Sequence, residues 1–135
     1  MALIFDLDGT LLDTLASLAN SFNRSLDKMG LPTQPVTDYR YFIGDGLRNC
    51  VIGCLGDLAT DEHIERLTEI QQDDYRETWR DDAAPYPGIE SLLETLDQTN
   101  VPMAVLSNKP HEFVLQIMDH FFPSTRFHPV MGHQP

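Results

Sequence analysis

The sequence predicts an α/β protein whose parallel sheet is interrupted, after its first strand, by a helical insert. Three observations carry this expectation. Residues 2–7, within "ALIFDLDGTLLDT", form a short apolar run closed by Asp8-Gly9, the pattern of a strand buried on both faces of a parallel sheet. The next seventy residues change to three- and four-residue apolar steps without a clear strand. "VPMAVLSN" then restores the strand pattern.

Taken in order, Leu15, Leu18, Ala19, Phe22, Leu26 and Met29 mark an amphipathic helix, which Gly30 and Pro32 stop. Residues 33–45 are turn-rich, and in "YFIGDGLRNCV" Gly44 and Gly46 bracket an acid before a helical stretch through Leu47, Val51 and Leu55. Thr60 reads as an N-cap and Asp61 and Glu62 as an acidic first turn, opening a long helix with Ile64, Leu67, Tyr75 and Trp79 on its apolar stripe. After "APYPG", Ile89, Leu92, Leu93 and Leu96 mark a shorter helix, followed by the second strand, which ends at Ser107 and Asn108. Phe113, Val114, Ile117, Met118 and Phe121 mark another helix, and "FHPVMG" is a third strand that Pro129 restricts to an edge or an irregular position. The resulting organisation is an α/β core from residues 1–13 and 85–135, with a helical lobe at 14–84. Right-handed crossovers would gather the polar residues at the strands' C-terminal ends, where ligands bind in this class.

Composition narrows the function. With 135 residues and 41% hydrophobic content the chain can bury a core, and 21 acids against 9 Lys and Arg give a net charge of -12. Such a field disfavours nucleic acid and anionic membranes, so no partner of either kind is expected. Neither an export signal nor a membrane-spanning run is evident, and a cytoplasmic location is expected. Cys50 and Cys54 share a helical face and read as small core residues.

Asp6 and Asp8, two apart at a strand end, can both lean toward one site. A plain turn role for Asp8 competes with this reading. A calcium loop does not fit, because Gly9 comes too early and Ser17 stands where its bidentate Glu belongs. The chemistry open to the pair is nucleophilic attack on phosphorus by one acid and proton transfer by the other. Two acids this close also suit a hard divalent cation, best Mg2+, with Asp6 and Asp8 as its ligands.

"FDLDGTLLDT", a helical insert, "PYPG" and "VLSNK" together resemble the haloacid dehalogenase (HAD) superfamily, in its phosphoglycolate-phosphatase-like branch. The resemblance implies a HAD-like Rossmannoid sheet with an inserted helical cap, and a Mg2+-dependent phosphatase of a small phosphorylated metabolite. It further implies Asp6 as nucleophile, Asp8 as general acid and base with a carbonyl ligand to magnesium, and Ser107 and Asn108 as phosphoryl contacts. Gly9 and Thr10 are further candidate substrate contacts, and "FIGDGLRN" resembles a cap loop that reaches substrate through Gly44, Gly46 and Arg48. A surface ion pair is the plain competitor for Arg48. Lys109, beside Pro110, reads as a solvated side chain rather than a phosphate contact, and the five scattered histidines receive no role. A dehalogenase would have no need of Asp8.

The family pattern continues with a lysine and an acidic pair that this sequence lacks, and with further strands, one of them beside the strand that carries Asp6. A non-catalytic fragment or binding module is therefore the competing function. A homodimer, or association with a missing C-terminal segment, is the expected cover for the exposed strand edge.

Overall fold

The computed structural model describes residues 1–135 and divides into two compact units, Met1–Asp13 with Ala84–Pro135, and Thr14–Ala83. The first unit holds strands β1 (Leu3–Phe5), β2 (Leu12–Asp13), β3 (Ala84–Pro85), β4 (Met103–Pro110) and β5 (Phe127–His133), with helices α4 (Ile89–Gln98) and α5 (His111–Phe121). The second holds α1 (Leu15–Lys28), α2 (Leu47–Leu55) and α3 (Asp61–Thr78), with short 3₁₀ turns at Val36–Tyr41 and Gly56–Leu58.

In the first unit β1, β4 and β5 form one sheet in that order, both pairings parallel. Leu3, Ile4 and Phe5 lie opposite Met103, Ala104 and Val105. Between Met103 and Val105 the partner strand advances from Phe127 to Val130, an extra residue accommodated where Pro129 interrupts the ladder. That strand is at the edge, as its proline requires. The second strand runs two residues beyond the expected end at Asn108, because Pro110 still lies opposite His133.

Both crossovers carry the chain the same way across the sheet, so right-handedness puts α4 and α5 on the same face. Met103, Val105, Ser107 and Lys109 are buried on that side. Phe5 meets Phe127 edge-to-face at 6.2 Å across it. Gly132 lies so close to α5 that a Cβ there would stand 2.6 Å from the Cα of His111 and 2.6 Å from the Lys109 carbonyl oxygen. The opposite face is open, with Ile4 72%, Leu106 56% and Met131 46% exposed. The expectation that β1 is buried on both faces is thus corrected: two same-side crossovers cover only one.

An antiparallel pair that the sequence did not announce joins Leu12 to Pro85 and Asp13 to Ala84. It ties the point where the chain leaves this unit to the point where it returns, immediately beyond the Asp6–Thr10 turn.

The second unit is built on α1 and α3. Leu18, Phe22 and Leu26 of α1 are buried together with Ser17, Ser21 and Ser25, small residues that permit close approach of a neighbouring helix. Ile64, Leu67, Gln71 and Tyr75 form the buried stripe of α3. Thr60 caps that helix, its hydroxyl accepting from the His63 amide at 3.2 Å. Tyr39 stacks on Phe22 at 5.9 Å and its hydroxyl donates to Asn23 at 2.6 Å. Cys50 and Cys54 are buried, and burial pushes the Cys54 thiol up to about 12. No helix is long and apolar enough to cross a membrane.

Candidate active site

The site forms where β1 and β4, being parallel, end on the same side of the sheet. Past Phe5 the chain leaves the ladder and turns: the Leu7 carbonyl accepts from the amides of Thr10, Leu11 and Leu12 at 3.2, 3.0 and 3.1 Å, and the Gly9 amide donates to the Leu12 carbonyl at 3.0 Å. Gly9 takes φ of +79°, a left-handed conformation that glycine enters without steric cost. Leu7, Leu11 and Leu12 are fully buried. These leucines anchor the turn in the core and leave Asp6, Gly9 and Thr10 exposed and Asp8 half-buried. Asp6 is held by its own backbone, one carboxylate oxygen accepting from the Leu7 amide at 2.8 Å.

From β4, Ser107 and Lys109 point to the covered face and are each 7% exposed, while Asn108 is exposed. The Lys109 amide donates to Ser107 Oγ at 3.1 Å. A hydroxyl that accepts in this way keeps its proton available to donate. The Lys109 ammonium stands 3.3 Å from Asp8 Oδ1, the two side chains being 4% and 11% exposed. This contact, joining residues a hundred positions apart, unites the two motifs, and it overturns the expectation that Lys109 is solvated. The sequence held no signal for it, because a lysine next to a proline in a polar turn looks the same whether its stem is buried or free.

Tyr86, in the "PYPG" loop, adds a boundary to the same unit. Its amide donates to the Leu11 carbonyl at 3.3 Å. Burial, followed by the charges of Asp13 and Asp8, raises its phenol above the ordinary value. His111 is structural, its Nδ1 accepting from the Gly132 amide at 3.0 Å.

Asp6, Asp8, Gly9, Thr10, Ser107 and Asn108 therefore all belong to the first unit. Gly44 and Arg48 belong to the second. There Gly44 and Gly46 take φ of +120° and +89°, and Arg48 is exposed in the first turn of α2.

No group of three or more His, Cys, Asp or Glu that could hold a metal ion occurs in the chain. Magnesium does not require one, since it is commonly bound by one or two carboxylates with water and substrate phosphate completing its shell. The oxygen donors of Asp6 and Asp8 fit such a partial set.

Comparison with known proteins adds relatives to this geometry. The family model of haloacid dehalogenase-like hydrolases matches residues 3–135. A phosphoglycolate phosphatase of Psychrobacter arcticus is 32% identical over 138 residues, covering 96% of this chain and 60% of the relative. Phosphoglycolate phosphatase 1 of Pseudomonas aeruginosa is 32% identical over 133 residues, covering 96% and 49%. The chain thus spans about half to three-fifths of the length of these curated relatives. Among solved structures, one from Lactobacillus delbrueckii superposes with a TM-score of 0.89 at 29% identity, covering 98% of this chain and 64% of that one. A predicted phosphoglycolate phosphatase from Haemophilus somnus gives 0.88 at 27% identity, covering 98% and 62%.

Proposed function

Because the chain belongs to the haloacid dehalogenase-like hydrolases, we propose that it carries the reacting half of a phosphatase for a small phosphorylated metabolite, with phosphoglycolate as the leading substrate. The observation that supports this most is the pair of carboxylates at the end of β1, the second of them held by buried Lys109 next to Ser107. The relatives' names point to the same substrate.

In the proposed reaction a carboxylate oxygen of Asp6 attacks phosphorus as the bond to the ester oxygen breaks, giving an aspartyl-phosphate. Asp8, as the general acid, donates a proton to the departing alkoxide. Asp8 then takes a proton from water as the water oxygen attacks phosphorus, which releases phosphate and restores Asp6. Ser107 and Asn108 hold the phosphoryl oxygens, and Gly9 and Thr10 line the turn beneath them. Magnesium, held by Asp6 and Asp8, would offset the charge of the incoming phosphate. Gly44 and Arg48 enter the proposal as substrate contacts on their motif alone.

Phosphate release from phosphoglycolate in the presence of magnesium tests the reading. Asp6→Asn is expected to abolish both turnover and phosphoenzyme. Asp8→Asn is expected to slow turnover by about 10²–10⁴-fold, the usual contribution of general acid–base catalysis. Small and equal losses in the two variants would count against these roles. A folded chain that binds phosphate but never turns over would favour the binding module.

A further inference from the structure

Lys109 is the charged group of this site for which the sequence offered no role. With 21 acids in the chain a lysine has exposed partners in abundance, yet this one is buried at a strand end against Asp8. Withdrawing both charges from water is costly, and only good geometry repays it. Here the geometry is modest. The Nζ–Oδ1 distance of 3.3 Å is longer than the ~2.7–2.9 Å of a strong charge-assisted bond, so this contact is not an optimal bond. The position is well fixed, since the Lys109 amide is bonded to Ser107 Oγ and its carbonyl lies against Gly132.

We propose that Lys109 is an exchangeable counter-charge: a positioning residue that holds Asp8 in the bare site and gives its ammonium to an oxyanion bound beside Ser107. The identity of that anion as a phosphoryl group rests on the phosphatase reading; the exchange itself does not. Two consequences follow from charge alone. The ammonium repels a divalent cation at the Asp6–Asp8 site, and it offsets the repulsion that two carboxylates exert on an anion. A lysine that stayed locked on Asp8 would leave phosphate affinity nearly unchanged when replaced.

The test is binding of Mn2+ alone and of inorganic phosphate alone, by calorimetry on the whole chain, with thermal midpoints recorded in parallel. Lys109→Met is expected to bind Mn2+ about tenfold more tightly and phosphate at least tenfold more weakly (~1.4 kcal/mol each), and Lys109→Arg to recover most of the phosphate affinity. Should Lys109→Met unfold because Asp8 loses the Lys109 charge, the comparison passes to Asp8→Asn against Asp8→Asn/Lys109→Met. The single variant should bind phosphate at least as well as wild type and the double variant at least tenfold more weakly than the single. Equal phosphate affinity in that pair, unchanged Mn2+ and phosphate affinities in folded Lys109→Met, or no phosphate binding by the wild type would each overturn the proposal. Failed turnover with these affinities behaving as expected would instead strike only at the phosphatase reading.

Discussion

Gly132 shows how narrowly the Lys109 backbone is placed. A methyl group there would meet the His111 Cα, the Lys109 carbonyl and Val114 Cγ2 at 2.6, 2.6 and 2.7 Å, and two of these neighbours are backbone atoms that cannot rotate away. Gly132→Ala is therefore expected to destabilise the chain by about 1–3 kcal/mol, the usual result of overpacking, and to weaken phosphate binding by moving Lys109. Chemical denaturation with a parallel phosphate titration would check both; a variant with wild-type stability would show that β5 can retreat freely. At this scale the candidate site was legible in the sequence where its residues are marked by spacing. Asp6 and Asp8 stand out because two acids close an apolar run, and Ser107 because it ends another. Lys109 and Gly132 did not stand out. What makes them matter is proximity across the fold, to Asp8 in one case and to α5 in the other, and no local pattern encodes such proximity.

Among elements, the best-specified contact joins α1 to α3. Arg24 grips Asp74 with two bonds, Nε to Oδ1 at 3.0 Å and Nη2 to Oδ2 at 2.8 Å, and Nη2 also reaches Thr78 at 3.2 Å. Burial pushes the Asp74 carboxyl up. Hydrogen bonds from Arg24, Ser21 and Thr78, with the charge of Arg24, outweigh it and hold the group below the ordinary carboxylate value. A carboxyl depressed in the folded state stabilises fully above its unfolded pKa of ~3.9 and loses that contribution as pH falls through the folded value. Thermal midpoints should therefore decline more steeply below about pH 4 for the wild type than for Asp74→Asn. At pH 7 the variant should be less stable by ~0.5–1 kcal/mol, the range for a surface pair of good geometry. Parallel acid slopes would remove Asp74 from the account. The helices were readable because each carries a 3.6-residue stripe and a stop or cap, as Thr60 does for α3. The β2–β3 ribbon was not, because two residues on each side leave no period to detect. The end of β4 was misread because Pro110, which has no amide to donate, looks like a terminator, although its place in the register does not depend on that amide.

For the whole chain, the open side of the sheet carries the strongest consequence. β1 pairs with β4 alone, so one side of Leu3–Phe5 presents backbone donors and acceptors that another strand could use. Beside that edge lie Ile4, Leu106 and Met131, on the face that neither α4 nor α5 covers. A large aliphatic side chain gains about 1.5–3 kcal/mol on going from fully exposed to fully buried, so covering what these three still expose is worth about 3–5 kcal/mol, comparable with the low end of the ~5–15 kcal/mol stability of an ordinary domain. Residues 124–135 cannot serve, because β5 occupies the far edge of the sheet against β4. The curated relatives carry a large share of sequence that this chain does not match; for the chain as given, the proposed cover is a second copy, which would offer the same edge and the same apolar face. Two-fold association of β1 edges makes a self-complementary contact of the kind on which most homodimers are built. Light scattering coupled to mass measurement is expected to return a mass above the 15.3 kDa of one chain. Ile4→Lys/Leu106→Lys, which changes only the exposed face, should shift the sample toward monomer while preserving the helical signal. A wild-type chain that stays at 15.3 kDa and unfolds cooperatively would mean that β1 tolerates an open edge, with three strand residues too few to recruit a partner.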